Sequence, residues 1–368
     1  MYFITFSISL LFIYASERNN SQKLKHTLMG IGLLIPSLLA GIRDYSVGND
    51  VLLYGNGWFE RACESASYFF YIEKAKEYSV GLGYATVNWA VSRISSNPHI
   101  FYFCYELIQL ILLYFSLKPL KGKISVTFAY FIYYFLYYNL SLNILRQIMA
   151  LLIVLFSYRF IIERKKVLFG ITILIAYSFH STAIVGLVLY PIAWAVENKQ
   201  LKTFSKYTIL GASVLLALSY SKLFSMLSGM GLLSTERYAH YLTDTEVGGR
   251  FVRIIYWMVI CGIIIMRGRR YIKYENQSRV LEMYLLLSGV FSILSFIGSA
   301  WLIRVVYYFD IFQILFVPIM AKKLGVKFDR LKSGMGYIIF GLVVFTYWLI
   351  TFILRNGAMT YPFVFMRS

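Results

Sequence analysis

Long apolar runs return along almost the whole chain, and the basic residues between them alternate between crowded and sparse clusters. A run of about 20 apolar residues spans a hydrocarbon core of roughly 30 Å only as a helix, because no water is present there to satisfy the backbone. The pattern therefore predicts an all-α polytopic integral membrane protein. Composition agrees: 59% of residues are hydrophobic, 14% are charged and the mean hydropathy is +0.65, too little polar surface to enclose a water-soluble core of this size. A net charge of +19 would suggest nucleic acid in a soluble protein, but most basic residues here sit in short loops between apolar spans. They read as orientation determinants, and no nucleic-acid partner is expected. Cys63, Cys104 and Cys261 lie far apart, without metal-ligand or redox spacing, so neither a metal nor a disulfide is expected. Residues 1–15 lack the basic start and cleavage pattern of a signal peptide and are read as a first span.

Apolar runs bounded by charge predict about twelve crossings, near 2–15, 27–42, 99–116, 124–141, 144–158, 165–179, 182–197, 207–223, 251–266, 281–300, 305–321 and 335–354. The loops at 16–26, 117–123, 159–166, 197–206, 267–279 and 322–332 hold 23 of the 36 Lys and Arg residues. The positive-inside rule places those loops in the cytoplasm and both termini outside. Of the 13 basic residues that remain, ten are arginine, whereas the cytoplasmic loops carry 15 lysines and eight arginines. A planar guanidinium grips phosphate or carboxylate in two directions, so the outward face reads as built to hold an anion. The stretch 165–197 turns back on itself at Ser178 to Thr182, leaving two arms of about 16 residues, or roughly 24 Å. Arms this short favour a recessed outward cavity, with His180 at the turn. Two outward loops are long: 43–98, whose amphipathic stretch from Gly83 to Ile94 is suited to the membrane interface, and 224–249. The chain is read as one polytopic domain, 1–368, and its 32 tyrosines and 30 phenylalanines fit either interfacial belts or sugar-stacking surfaces.

Charges in or at the mouth of a span are costly unless they face protein or water, which makes each a candidate. Arg146 opens a span, with Asn143 three positions before it and four before Gln147, so one helical face presents a polar cluster where simple snorkelling would need none. Arg304 follows Trp301 and precedes Tyr307, Tyr308 and Asp310; Asp310 needs a partner, and an ion pair with an arginine competes with phosphate binding as the use of these charges. Arg43 and Asp44 close the second span, and Gly48 permits a turn that brings Asp50 back towards Arg43. Arg250 and Arg253, three apart, are expected on one helical face as a second anion contact. Glu77 stands in a mixed-charge segment and is either solvated or catalytic. His180 is either a hydrogen-bonded core residue or a proton or phosphate-oxygen contact. No metal-ligand cluster, phosphate-binding glycine loop or nucleophile elbow appears.

Taken together, these pieces resemble the EpsG family of polysaccharide polymerases, which includes many Wzy-type O-antigen and capsule repeat-unit polymerases. The matching stretches are Gly41-Ile42-Arg43-Asp44, Val47-Gly48-Asn49-Asp50 with Tyr54, Gly83-Tyr84, Asn143-Ile144-Leu145-Arg146-Gln147-Ile148-Met149-Ala150, Phe179-His180-Ser181-Thr182-Ala183, Arg304 to Tyr308, and Tyr361-Pro362-Phe363. They run in family order, with Asn49 where threonine is expected. The resemblance implies a GT-C-like membrane glycosyltransferase of the bacterial inner membrane that works on undecaprenyl diphosphate-linked oligosaccharides at the outer face. The growing chain leaves its lipid diphosphate for the non-reducing end of a new unit; a chain-length regulator and a flippase of the same pathway are the implied partners, with no cofactor.

Breaking the bond between sugar C1 and phosphate leaves negative charge on the diphosphate, so fixed arginines stabilise the transition state more than the ground state. Arg146, Arg304 and Arg250 are expected there, with Arg253 beside Arg250, Arg43 at the cavity edge, and Asn143 and Gln147 as supporting polar contacts. Asp50, Glu77 and His180 are the candidates for the base that takes the acceptor proton, and His180 is equally suited to donate to the diphosphate. Three competing readings stand beside polymerisation: a lipid-linked oligosaccharide flippase or transporter, the related O-antigen ligase reaction, and a membrane acyltransferase. The outward clustering of arginines favours an enzyme over a transporter.

Overall fold

Helices form wherever the chain offers a long apolar run, since lipid leaves the backbone no other hydrogen-bond partner than itself. The computed structural model describes residues 1–198, 208–209, 211, 247–265, 276–295, 300–325 and 334–366. Most of the expected span 207–223, most of the loop 224–249, and much of the basic loops 197–206, 267–279 and 322–332 lie outside the described residues. Among the described residues the structure is helical, with two isolated bridges, Arg43 to Phe365 and Lys121 to Ile124. Four helices among the described residues are long and apolar enough to cross a membrane: Gln22–Gly41, Pro98–Leu120, Leu145–Ile162 and Met335–Leu354. A fifth crossing arises if Ile303–Asp310 and Gln313–Lys323, bent by 46°, count as one broken span. The chain is thus a multi-pass membrane protein. Lys166–Phe179, Ser181–Glu197 and Phe251–Ile263 are apolar but shorter; the first, at 14 residues, is about 21 Å long.

The chain divides into two compact units, Met1–Ile184 with Tyr337–Ser368, and Val185–Gly336. In the first, α1 (Tyr2–Arg18), α2 (Gln22–Gly41), α6 (Pro98–Leu117) and α9 (Leu145–Ile162) pack in succession, α1 on α2, α2 on α6 and α6 on α9. Small residues set the first crossing: the Ser9 hydroxyl donates to Gly32 O at 2.6 Å, and a Cβ on Gly32 would lie 2.8 Å from Ile13. Between α2 and α6 the loop 43–98, expected to face outward, folds into α3 (Asn56–Glu64), α4 (Tyr68–Glu77) and α5 (Leu82–Ser92). Tyr84, Ala85, Asn88 and Val91 are the buried face of α5, the spacing of an amphipathic helix.

The expected span 124–141 is one helical run in three pieces: α7 (Val126–Tyr133), a π-helical turn (Tyr134–Tyr138) and α8 (Asn139–Asn143). Its start is held by Glu17 at the end of α1, whose carboxylate accepts from the Val126 and Thr127 N–H groups at 2.9 and 3.0 Å. An anion there satisfies orphan donors and complements the helix dipole. The tyrosines of this run form a core instead of an interfacial belt: Tyr130, Tyr133, Tyr134, Tyr137 and Tyr138 are all buried. Burial is tolerated because hydroxyls find partners: Tyr130 donates to Leu110 O (2.9 Å), Tyr138 to Pro36 O (2.5 Å), and Tyr134 pairs with Ser9 (2.7 Å).

In this unit α10 (Lys166–Phe179) packs on α9 and α5, and α16 (Met335–Trp348) runs into a π-helical turn (Leu349–Leu354) and a C-terminal strap. In the second unit α11 (Leu189–Glu197) and α12 (Val247–Ile263) pack on α13 (Asn276–Leu294), which also contacts α14 (Ala300–Asp310) and α15 (Gln313–Gly325).

Candidate functional site

The stretch between α2 and α3 is built by backbone demands before any chemistry enters. Asp44 Oδ1 accepts from the Ser46 N–H (3.0 Å) and hydroxyl (2.6 Å), turning the chain. Gly48 sits at φ +90°, and a Cβ there would run into Leu142 O. Both facts restrict the position to glycine. The C-terminal strap closes the loop from the other side: Asp44 N donates to Val364 O, Met366 N to Ile42 O and Gly48 N to Met359 O, each at 2.9 Å. The next residue, Asn49, donates its N–H to Asn143 Oδ1 at 2.7 Å. The loop that carries Asp50 is thereby fastened to the junction of α8 and α9.

That junction is a real break. Ile144 takes φ −110°, ψ 56°, ending α8 and starting α9 at Leu145. Asn143, Arg146 and Gln147 therefore do not share one helical face as their spacing suggested. Asn143 ends α8 and serves the loop, Gln147 is buried in the core, and Arg146, in the first turn of α9, turns towards the loop.

Asp50, Tyr54, Arg146 and Tyr84 meet. Asp50 leads into a π-helical turn, Val51–Gly55, and the Tyr54 hydroxyl donates to Asp50 Oδ2. The Arg146 guanidinium lies over the Tyr54 ring at 4.1 Å and 5.9 Å from the Tyr84 ring, while those two rings meet edge to face at 6.2 Å. Asp50 and Arg146 interact electrostatically. Burial first, then the neighbouring Asp50, hold the Tyr54 phenol well above its ordinary pKa, so it stays a proton donor to that carboxylate. A carboxylate, a guanidinium and an aromatic floor are thus assembled from three elements far apart in sequence. This arrangement suits a basic oxygen and an anion contact side by side.

Arg43 braces the junction that the loop is fastened to, through Leu142. Expected at the cavity edge, it is fully buried, with Nη1 donating to Leu142 O at 2.8 Å and the guanidinium 4.5 Å over the Tyr102 ring. Its charge interacts with Glu106 on α6. Glu106 is itself buried, accepting from Ser141 (2.7 Å) and Tyr133 (3.2 Å). The reading of the sequence passed over Glu106, although it is the only charged residue in α6 and an acid within a span signals a functional or structural partner. It also missed Tyr54 as an actor, since no spacing rule marks a π-turn.

His180 follows α10, half-buried, its Nδ1 2.7 Å from the Thr182 hydroxyl. The preceding Ser178 and Phe179 press on Gly81 and Gly83, where a Cβ on either would lie 2.5 Å from them. That contact brings the turn against the start of α5, which carries Tyr84. Glu77, at the end of α4, is exposed. In the second unit Arg253 is buried in an ion pair with Asp310, lies 4.7 Å over the Tyr307 ring and donates from Nε to Ser292 Oγ at 3.3 Å. The partner that Asp310 required is therefore Arg253. Arg304 is half-buried on α14, and the Arg250 side chain lies outside the described residues. Among the described residues no group of three or more His, Cys, Asp or Glu is placed to hold a metal.

A helical, multi-pass membrane protein with an arginine and a carboxylate gathered at one end of its long spans is the class these features define. The chain belongs to the EpsG family, whose model matches residues 26–365, nearly the whole length and every element of the cluster. Comparison with curated proteins and with solved structures finds no match.

Proposed function

We propose that the protein is a bacterial polysaccharide polymerase of O-antigen, capsule or exopolysaccharide: a glycosyltransferase that joins undecaprenyl diphosphate-linked oligosaccharide units and releases undecaprenyl diphosphate. The observation that carries this reading is the meeting of Asp50 with Arg146 on the Tyr54 ring, inside a family tied to polysaccharide synthesis. In the proposed reaction Asp50 takes the proton from the acceptor hydroxyl, whose oxygen bonds to C1 of the donor sugar. The bond from C1 to the phosphate oxygen breaks, and its electron pair leaves with the diphosphate. Arg146 stabilises that charge, a contribution of about 2.7–4 kcal/mol for one preorganised donor. His180 is assigned to a diphosphate oxygen and, less centrally, Arg250 and Arg304 to further phosphate contacts. Arg43 supports the loop through Leu142, Arg253 is assigned to its structural pairing with Asp310 and not to phosphate, and Glu77 is assigned to the solvated rim.

The proposal extends to about twelve crossings, a GT-C-like arrangement with a cavity open to the exterior, residence in the inner membrane with the site on the periplasmic side, and cooperation with a chain-length regulator and a flippase. The test is incubation of the purified protein with one defined lipid-diphosphate repeat unit. A ladder of products is the expected result. Movement of intact units across a vesicle bilayer without bond formation would replace the polymerase with a flippase, and transfer only to a lipid A core would replace it with a ligase.

A further inference from the structure

Tyr54 touches both charged members of the cluster at once. Its hydroxyl donates to Asp50 Oδ2, four residues before it across the π-turn, and its ring lies 4.1 Å under the Arg146 guanidinium. The ring is braced in turn by Tyr84, which is fully buried and packs edge to face on Tyr105 at 5.7 Å and on Phe101 at 5.9 Å. An ordinary α-helical turn places residue i+4 directly above residue i, whereas the wider π-turn at Val51–Gly55 shifts the register by a fraction of a turn, a feature frequent at functional sites. Leu52 and Leu53, on the other side of that turn, are about two-thirds exposed, so the turn directs Tyr54 inward while its neighbours face outward.

We infer that Tyr54 is a positioning residue of this site: its hydroxyl aims and acidifies the Asp50 carboxyl, and its ring fixes the direction in which Arg146 presents its guanidinium. The inference rests on the polymerase reading for the identity of the reaction, not for the contact itself. The two functions are separable by chemistry. A hydrogen bond to the charged form of a carboxyl favours that form, so its loss raises the carboxyl's pKa. The ring's hold on Arg146 needs only its π-face, which phenylalanine keeps. Among the described residues, the titratable and charged groups that act on Asp50 include Tyr54 on its own turn, Tyr84 from α5, Tyr102 and Tyr105 from α6, and Arg146 from α9. None but Tyr54 changes in the test.

The experiment uses the full chain in nanodiscs. Infrared titration follows the Asp50 carboxyl band, assigned by its disappearance in Asp50→Asn. In Tyr54→Phe the midpoint is expected to rise by about one pH unit, a tenfold change in the ionisation equilibrium; an unmoved midpoint overturns the inference. With the defined lipid-diphosphate unit, Tyr54→Phe is expected to lower kcat about tenfold with KM within twofold, and to move the acid limb of the rate profile upward by the same unit. Tyr54→Leu is expected to raise KM as well, because Arg146 loses its floor. Wild-type kcat and acid limb in Tyr54→Phe overturn the inference, whereas absence of a ladder from the wild-type protein overturns the polymerase reading and leaves the infrared result to decide on Tyr54.

Discussion

Arg43→Met separates a residue that holds the site from one that works in it. The methionine keeps most of the length of the side chain and removes the guanidinium, with its 2.8 Å bond to Leu142 O and its 4.5 Å approach to the Tyr102 ring. A hydrogen bond from a charged group contributes about 1.5–3 kcal/mol, and a desolvated cation–π contact about 2. The substitution also frees the molecule from burying Nε and Nη2, which have no hydrogen-bond partner among the described residues, and it strips Glu106 of a nearby cation. These two effects oppose each other, leaving a net loss on the order of 3 kcal/mol. For a unit of this size that corresponds to a fall of roughly 6–12 °C in the thermal midpoint. The assay is intrinsic fluorescence of the purified protein on heating, beside polymer length on gels from complemented cells grown warm and cold. Activity should fall with stability and recover in the cold. A variant with the wild-type midpoint and a selective loss of diphosphate binding would show that Arg43 reaches the ligand, and the reasoning from its burial would be refuted.

The opposite signature is expected of Arg146→Ala: product formation falls about 100- to 1000-fold while the thermal midpoint moves little, and polymer of normal length would remove Arg146 from the reaction. Gly48→Ala forces a Cβ onto Leu142 O at positive φ, a cost of about 1–3 kcal/mol that should appear as a lowered midpoint; an unchanged one would mean the loop is not fastened there. Arg253→Met alone should destabilise by about 3–5 kcal/mol, and adding Asp310→Leu should recover most of it, since breaking a buried pair costs more than replacing it. If the two single losses simply add, the pairing is wrong.

Much of the helical framework was legible because lipid imposes a simple rule. A stretch such as Leu145–Ile162 must be a helix, and the same apolar run marks where it lies. The turn near His180 was also legible, as a polar interruption in apolar surroundings. The partners were not. Nothing in the spacing of Asn143, Arg146 and Gln147 discloses that the helix breaks at Ile144 and sends them to three different environments. Tyrosines 130–138 have the composition of an interfacial belt, yet their hydroxyls reach Ser9, Pro36, Leu110, Glu106 and Gln109, and those partners put them in the core. Arg253 and Asp310 each carried a visible need for an opposite charge, but only packing joined residues 57 apart.

The amino-acid order alone determined that this chain lives in a bilayer, where its arginines and lysines fall relative to the apolar runs, and which family pattern it follows, because hydropathy and charge act locally and add along the chain. Tertiary structure decided which arginines are spent inside, Arg43 and Arg253, and which one meets Asp50 and Tyr54, Arg146. Burial and pairing depend on what other elements bring to the same point, and no local pattern contains that information.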